Sequence, residues 1–210
     1  LQFGNPAAEY GEANWFEASP IIPAATTSES VRPAFEHPDN GTPKPVSPSS
    51  FKAESGKGTG FASLSQDAAA LGTEVHEALA EIEWLDASTS PRFDHVSKEA
   101  ADLLHGFLKT PMACNAFSKP IENSEIWREK AFDVMLEGKW VSGIFDRVVI
   151  HRASKGSFAS AVIYDFKTDH GTRSEIEERY AGQMSVYREA VGKLLGLGQD
   201  SVTSQILHVR

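Results

Sequence analysis

Between residues 124 and 168 the chain alternates apolar and polar side chains three times, with turn residues at both breaks. "SEIWREKAFDVML" (124–136) has the period of a half-buried strand, and Gly138 and Lys139 supply a tight turn. "WVSGIFDRVVIHR" (140–152) alternates again, "ASKGS" turns a second time, and "ASAVIYDFKT" (159–168) makes a third strand. Three strands this close in sequence predict a meander, and whatever flanks them must cover its faces.

The flanks are helical. Leu71, Val75, Leu79 and Ile82 predict a helix over 67–85. Asp94 stands as the N-cap of a second helix with the stripe Val96, Ala100, Leu103, Leu104, Phe107 and Leu108. Pro111 ends it, and "MACNAF" adds a short turn. After the strands, Ser174 and Glu177 form a capping-box pattern for a helix running to about Leu195. Its stripe is Ile176, Tyr180, Met184, Tyr187, Val191 and Leu194. "SVTSQILHVR" closes as a fourth strand.

Composition bounds the rest. Eight of the eleven prolines lie in residues 1–50, amid Ser, Thr, Ala and Glu without apolar period. Residues 1–60 are therefore expected to be a flexible linker or tail and 61–210 the folded domain. "GKGTG" (56–60) lacks the GxxxxGK[ST] spacing and follows no strand, so no ATP site is expected in this chain. The start, "LQFGNPAAEYGEANWF", has neither Met nor a signal pattern and reads as a cut from something longer. No apolar run approaches the ~18 residues of a membrane span. The single cysteine, Cys114, excludes an internal disulfide and a four-cysteine metal or iron–sulfur site, and suits a reducing, cytoplasmic setting. A net charge of −9 argues against gripping nucleic acid by bulk positive charge, but leaves room for an acidic metal site.

Some polar residues break the pattern. Asp165 and Lys167 flank Phe166 in an apolar strand, on one face and roughly 6.5–7 Å apart. One reading is an ion pair at a strand end, although desolvating such a pair costs about what it returns. The other is that Asp146, in the equally apolar "GIFDRVV", approaches Asp165 across neighbouring strands with a divalent, oxygen-seeking metal between them. A salt bridge from Asp146 to Arg147 or another basic group is the competing account, weakened for Arg147 because alternation points it to the other face. Glu129 is a solvated edge residue or a third carboxylate. His76, bordering its helix's apolar stripe, is a packed core histidine or a ligand suited to Mn²⁺ and tolerated by Mg²⁺. Gln183 shares a helix face with Tyr180 and Tyr187, as a polar intruder in a core stripe or a group aimed at substrate.

Together, "GTEVHEAL", "WREKAF", "GIFDRV", "IYDFKTD" and "YAGQMSVY" follow the order and spacing of the RecB-like nucleases of the PD-(D/E)XK superfamily. Residues 62–210 resemble the C-terminal nuclease domains of AddA and RecB helicase–nucleases. The resemblance implies an α/β, restriction-endonuclease-like core, a central mixed sheet of about four to five strands flanked by helices. It makes His76, Asp146, Asp165 and the backbone carbonyl of Phe166 metal ligands. Glu129 becomes the acidic residue of the first core strand and Lys167 the catalytic lysine. Gln183 and Tyr187 match the Q-x-x-x-Y motif and, with Tyr180, are assigned to nucleic acid. The implied activity is that of a metal-dependent deoxyribonuclease of the exodeoxyribonuclease V type. It would use Mg²⁺, with Mn²⁺ substituting, in DNA end processing and recombinational repair in the bacterial cytoplasm. No membrane is involved. Its DNA would be a single strand fed by a UvrD-like helicase body of the same polypeptide, with an AddB- or RecC-like partner subunit. The absent cysteine quartet separates this chain from iron–sulfur relatives such as AddB and Cas4. The competing reading is a catalytically inactive DNA-binding or docking module, against which the intact Asp146, Asp165 and Lys167 speak.

Overall fold

The computed structural model describes residues 44–51, 66–85, 91–120, 123–153 and 156–210. The first 43 residues and "GKGTG" lie outside them, and with these most of the expected linker.

Strands β1 (Ser124–Leu136), β2 (Lys139–Arg152) and β3 (Phe158–Lys167) form the antiparallel meander, and β4 (Val202–His208) joins β3 in parallel. The β1–β2 turn is made by Glu137 and Gly138, both at positive φ (47° and 77°). That twist matches paired strands, and Lys139 already belongs to β2. The sheet is mixed, as expected. One face is covered by α1 (Gln66–Glu81), α2 (Lys98–Phe107) and α3 (Pro111–Phe117), which bury Val75, Leu79, Leu104 and Phe117 with Val149, Phe166 and Leu207. The other is covered by α4 (Arg173–Leu195), whose Met184, Tyr187 and Val191 pack on Phe145, Val148, Ile150 and Ile163. The alternation in β2 and β3 thus serves two cores.

Helix ends differ from expectation. Ser97, not Asp94, caps α2, its hydroxyl accepting from the Ala100 amide at 3.3 Å. Pro111 opens α3 as well as following α2: Thr110 is the cap and proline sits in the first turn, where an amide proton has no partner to lose. The capping box of α4 is Thr172 with Glu175, two residues before the expected pair. Glu177 instead pairs with Arg173 at 2.6 Å. Leu194 is exposed, and Leu195 beside it completes the stripe.

Residues 46–51 pack on the domain. Val46 donates its amide to the Trp140 carbonyl (2.8 Å) and accepts from the Ser142 amide (3.2 Å), beside the part of β2 that β3 does not reach. A 3₁₀ turn, Pro48–Phe51, then crosses α4, where a β-carbon on Gly182 would collide with the Phe51 carbonyl. Among the described residues no helix is long and apolar enough to cross a membrane.

Candidate metal centre

The site forms where β2 and β3 stop pairing. Their last backbone partners are Arg147 and Tyr164. Just beyond, the Asp146 carboxylate takes the place of a strand carbonyl: its Oδ2 accepts from the Phe166 amide at 2.7 Å. The Asp146 side chain is only 11% exposed, and the same oxygen lies 3.6 Å from His76 Nδ1, so α1 contributes to the cluster. The His76 ring meets the edge of Phe166, with centroids 6.0 Å apart.

Glu129 comes from β1. The ladder pairs Arg128 with Arg147 and Lys130 with Phe145, and leaves Glu129 out. Its φ is 43°, a left-handed backbone that costs a non-glycine residue of order 1–3 kcal/mol and persists where the surroundings impose it. His76, Glu129 and Asp146 each offer a ligand atom, all within 4.8 Å of one another. Although the Glu129 side chain reaches solvent, partial desolvation and then the Asp146 charge raise its carboxyl above the ordinary range.

Asp165 stands beside this triad, 1% exposed. Its Oδ1 accepts from Gln183 Nε2 at 3.2 Å; its Oδ2 accepts no well-aligned hydrogen bond and faces Lys167 Nζ at 2.5 Å. Burial pushes the Asp165 carboxyl up to about 6, against the pull of Lys167 and with the repulsion of Asp146. Gln183 also donates to the Tyr187 hydroxyl (3.0 Å), which donates to the Ile144 carbonyl (2.8 Å). Gln183 and Tyr187 are thus buried and donate within the protein, Gln183 holding Asp165, while Gln183 Oε1 accepts no hydrogen bond among the described residues. Of the three α4 residues assigned to nucleic acid, Tyr180 is the one that lines a cleft of about 650 Å³. His76, Glu77, Glu129, Thr168 and Asp169 line it too.

Arg147 has no part in this. It projects to the opposite face and donates to the carbonyls of Ala116 (2.9 Å), Ile82 (2.9 Å) and Glu83 (2.6 Å), at the ends of α3 and α1. Its guanidinium lies 4.1 Å from the Phe117 ring centroid and 5.2 Å from that of Trp84. Burial lowers it to about 9, so it stays charged at neutral pH. The proposed Asp146–Arg147 salt bridge does not form.

The donors suit a hard divalent cation. An imidazole nitrogen and two carboxylates converge, a third carboxylate adjoins them, and the most buried of these oxygens has only an ammonium for company. Sequence reasoning missed Asp169, which accepts from the Tyr180 hydroxyl at 2.7 Å. Its place just after β3, beside a buried acid and base, was the available signal.

Comparison with known proteins agrees with this geometry. The profile of the PD-(D/E)XK nuclease superfamily matches residues 47–210. An ATP-dependent helicase/nuclease protein of Enterococcus faecalis (strain ATCC 700802 / V583) is 27% identical over 171 residues, covering 68% of this chain. The match spans 13% of that protein's length. With the mixed α/β sheet and a match over most of its length, the chain belongs to the PD-(D/E)XK nuclease superfamily, as a RecB-like nuclease domain.

Proposed function

We propose that this domain hydrolyses DNA phosphodiester bonds with Mg²⁺, as the exonuclease part of a bacterial helicase–nuclease that processes DNA ends. The observation that carries it is the convergence of His76, Glu129 and Asp146 beside the buried Asp165–Lys167 pair. A divalent cation held by His76, Asp146, Asp165 and the Phe166 carbonyl, with Glu129 at its edge, would supply Lewis acidity at the scissile phosphate. Mn²⁺ would substitute, since the set includes an imidazole.

The chain's own residues do the rest. The strained backbone of Glu129 aims its carboxylate at His76 and Asp146. Gln183, itself fixed by Tyr187, sets the rotation of Asp165 so that Oδ2 faces the site. Lys167 places its ammonium where it can orient the attacking water and offset charge on the phosphoryl oxygens. The proline-rich stretch would join the domain to a helicase body that feeds it a single strand. A cytoplasmic setting and an AddB- or RecC-like partner complete this reading; the similarity to the Enterococcus faecalis helicase/nuclease protein supports its helicase–nuclease part.

The test is cleavage of 5′-labelled single-stranded DNA by this chain with Mg²⁺, with Mn²⁺ or with EDTA. Metal-dependent cleavage that disappears in Asp165→Asn is expected. DNA binding without metal uptake or cleavage would favour the inactive docking module.

A further inference from the structure

We propose that Tyr180 is a positioning residue for Lys167: its ring holds the ammonium beside Asp165, and Asp169 holds the ring. The inference rests on the nuclease reading and adds a residue whose contact is with the protein's own cation.

A lysine ammonium at the end of four rotatable bonds is poorly placed by a single contact. Lys167 has two. Asp165 Oδ2 lies 2.5 Å from Nζ, and the Tyr180 ring centroid lies 4.6 Å from it. The second contact matters because Asp165 has competing work. An Asp165 oxygen engaged with a cation offers less negative charge to Lys167, whereas the face of a tyrosine ring keeps its attraction.

The ring is fixed from behind. The Tyr180 hydroxyl donates to Asp169 Oδ2 at 2.7 Å, and Arg179 Nη1 lies 3.8 Å from Asp169 Oδ1. His208 Nε2, at the end of β4, donates to the Asp169 carbonyl at 2.7 Å. The exit of β3, α4 and the end of β4 therefore meet at Asp169, which holds the Tyr180 hydroxyl. Tyr180 as a whole is 3% exposed, which leaves little ring face for stacking a nucleobase. A stacking platform for single strands needs an open face, so contact with Lys167 accounts for Tyr180 better than contact with DNA.

The experiment compares wild type, Tyr180→Phe, Tyr180→Leu, Lys167→Ala and the double Tyr180→Leu/Lys167→Ala variant of this chain. Cleavage of labelled single-stranded DNA with Mg²⁺ gives kcat and KM. Separately, in EDTA, reductive methylation of Lys167 is followed by mass spectrometry. We expect Tyr180→Leu to lower kcat by at least ~10-fold with KM changed less than about 2-fold, and to speed Lys167 methylation several-fold. Tyr180→Phe keeps the ring face but loses the hydroxyl's bond to Asp169, so its kcat and methylation rate should fall between those of wild type and Tyr180→Leu, with KM within about 2-fold. The double variant should cleave no more slowly than Lys167→Ala, because the two residues act as one unit. Tyr180→Met serves with the same expectations where the leucine variant does not fold.

A rise in KM alone would overturn the proposal in favour of DNA contact. Equal losses in the phenylalanine and leucine variants would move the role to the hydroxyl and overturn it too, as would additive losses in the double variant. A wild-type chain that cleaves nothing with Mg²⁺ or Mn²⁺ would sink the nuclease reading instead. The methylation arm would then still judge whether Tyr180 places Lys167, with an unchanged rate in Tyr180→Leu counting against it.

Discussion

Arg147 and Asp165 are each 1% exposed, in neighbouring strands of one sheet, yet their environments differ in kind. Arg147 projects among α1 and α3, where three helix-end carbonyls and two aromatic rings occupy its guanidinium. Asp165 projects toward α4 with one long hydrogen bond and one ammonium, and with Asp146 repelling it. A buried charge with a hydrogen bond from each of its nitrogens organises a fold: Arg147 closes the ends of two helices and ties them to β2. A buried charge left short of partners is costly, and is kept where something outside the folded chain completes it. Burial alone would rank the two alike; the count of partners separates them.

Four experiments put that contrast at risk, from the largest effect down. Asp165→Asn should reduce cleavage below about one-thousandth while leaving the metal-free melting temperature unchanged or higher, since it removes an under-partnered charge and keeps the shape. Kinetics and thermal melts of the same preparation check it; a large loss of stability would make Asp165 a scaffold residue like Arg147. Arg147→Ala should do the reverse. Three orphaned carbonyls and a void between Phe117 and Trp84 should cost about 3–5 kcal/mol, or roughly 10 °C in melting temperature. Calorimetric melts measure this, and a loss below ~1 kcal/mol would undo the distinction.

Lys167→Ala should still bind Mg²⁺ by titration calorimetry but cleave about 100-fold more slowly. It leaves Asp165 without a counter-charge, so the metal-free domain should lose stability that Mg²⁺ restores. If the pair were purely structural, Mg²⁺ would shift neither the variant's melt nor the parent's.

The smallest effect is a slope with pH. Burial holds the Asp165 carboxyl at about 6, above its unfolded value. The folded state then binds the extra proton between about pH 4 and 6, so this group's stabilisation is present at low pH and lost as pH rises through about 6. Arg147 is protonated in both states below about 9 and adds no slope there. Metal-free melts from pH 4 to 8 should show that fall in the parent and less of it in Asp165→Asn; equal slopes would contradict it.

The strands and their faces were legible because alternation with period two is a local property. It placed Asp165 and Lys167 together, Phe166 opposite, and Arg147 away from Asp146 before any packing was known. Helix ends were less legible. Asp94 and Ser97, or Thr172 and Ser174, are chemically equivalent caps a few residues apart. Which one works depends on where the neighbouring chain must go.

From the order of residues alone follow a mixed α/β domain, the succession of its elements, and a set of polar residues that an apolar sheet does not explain. What each of those residues touches was settled by packing. It turned Gln183 and Tyr187 inward to hold Asp165, and gave Arg147 the ends of helices distant in sequence. It also put Glu129 into a left-handed backbone opposite Asp146 and laid Val46 beside β2. The reason is physical. Periodicity encodes the direction in which a side chain leaves its own backbone, whereas its partners are set by which distant segments arrive there, and that is a property of the packed whole.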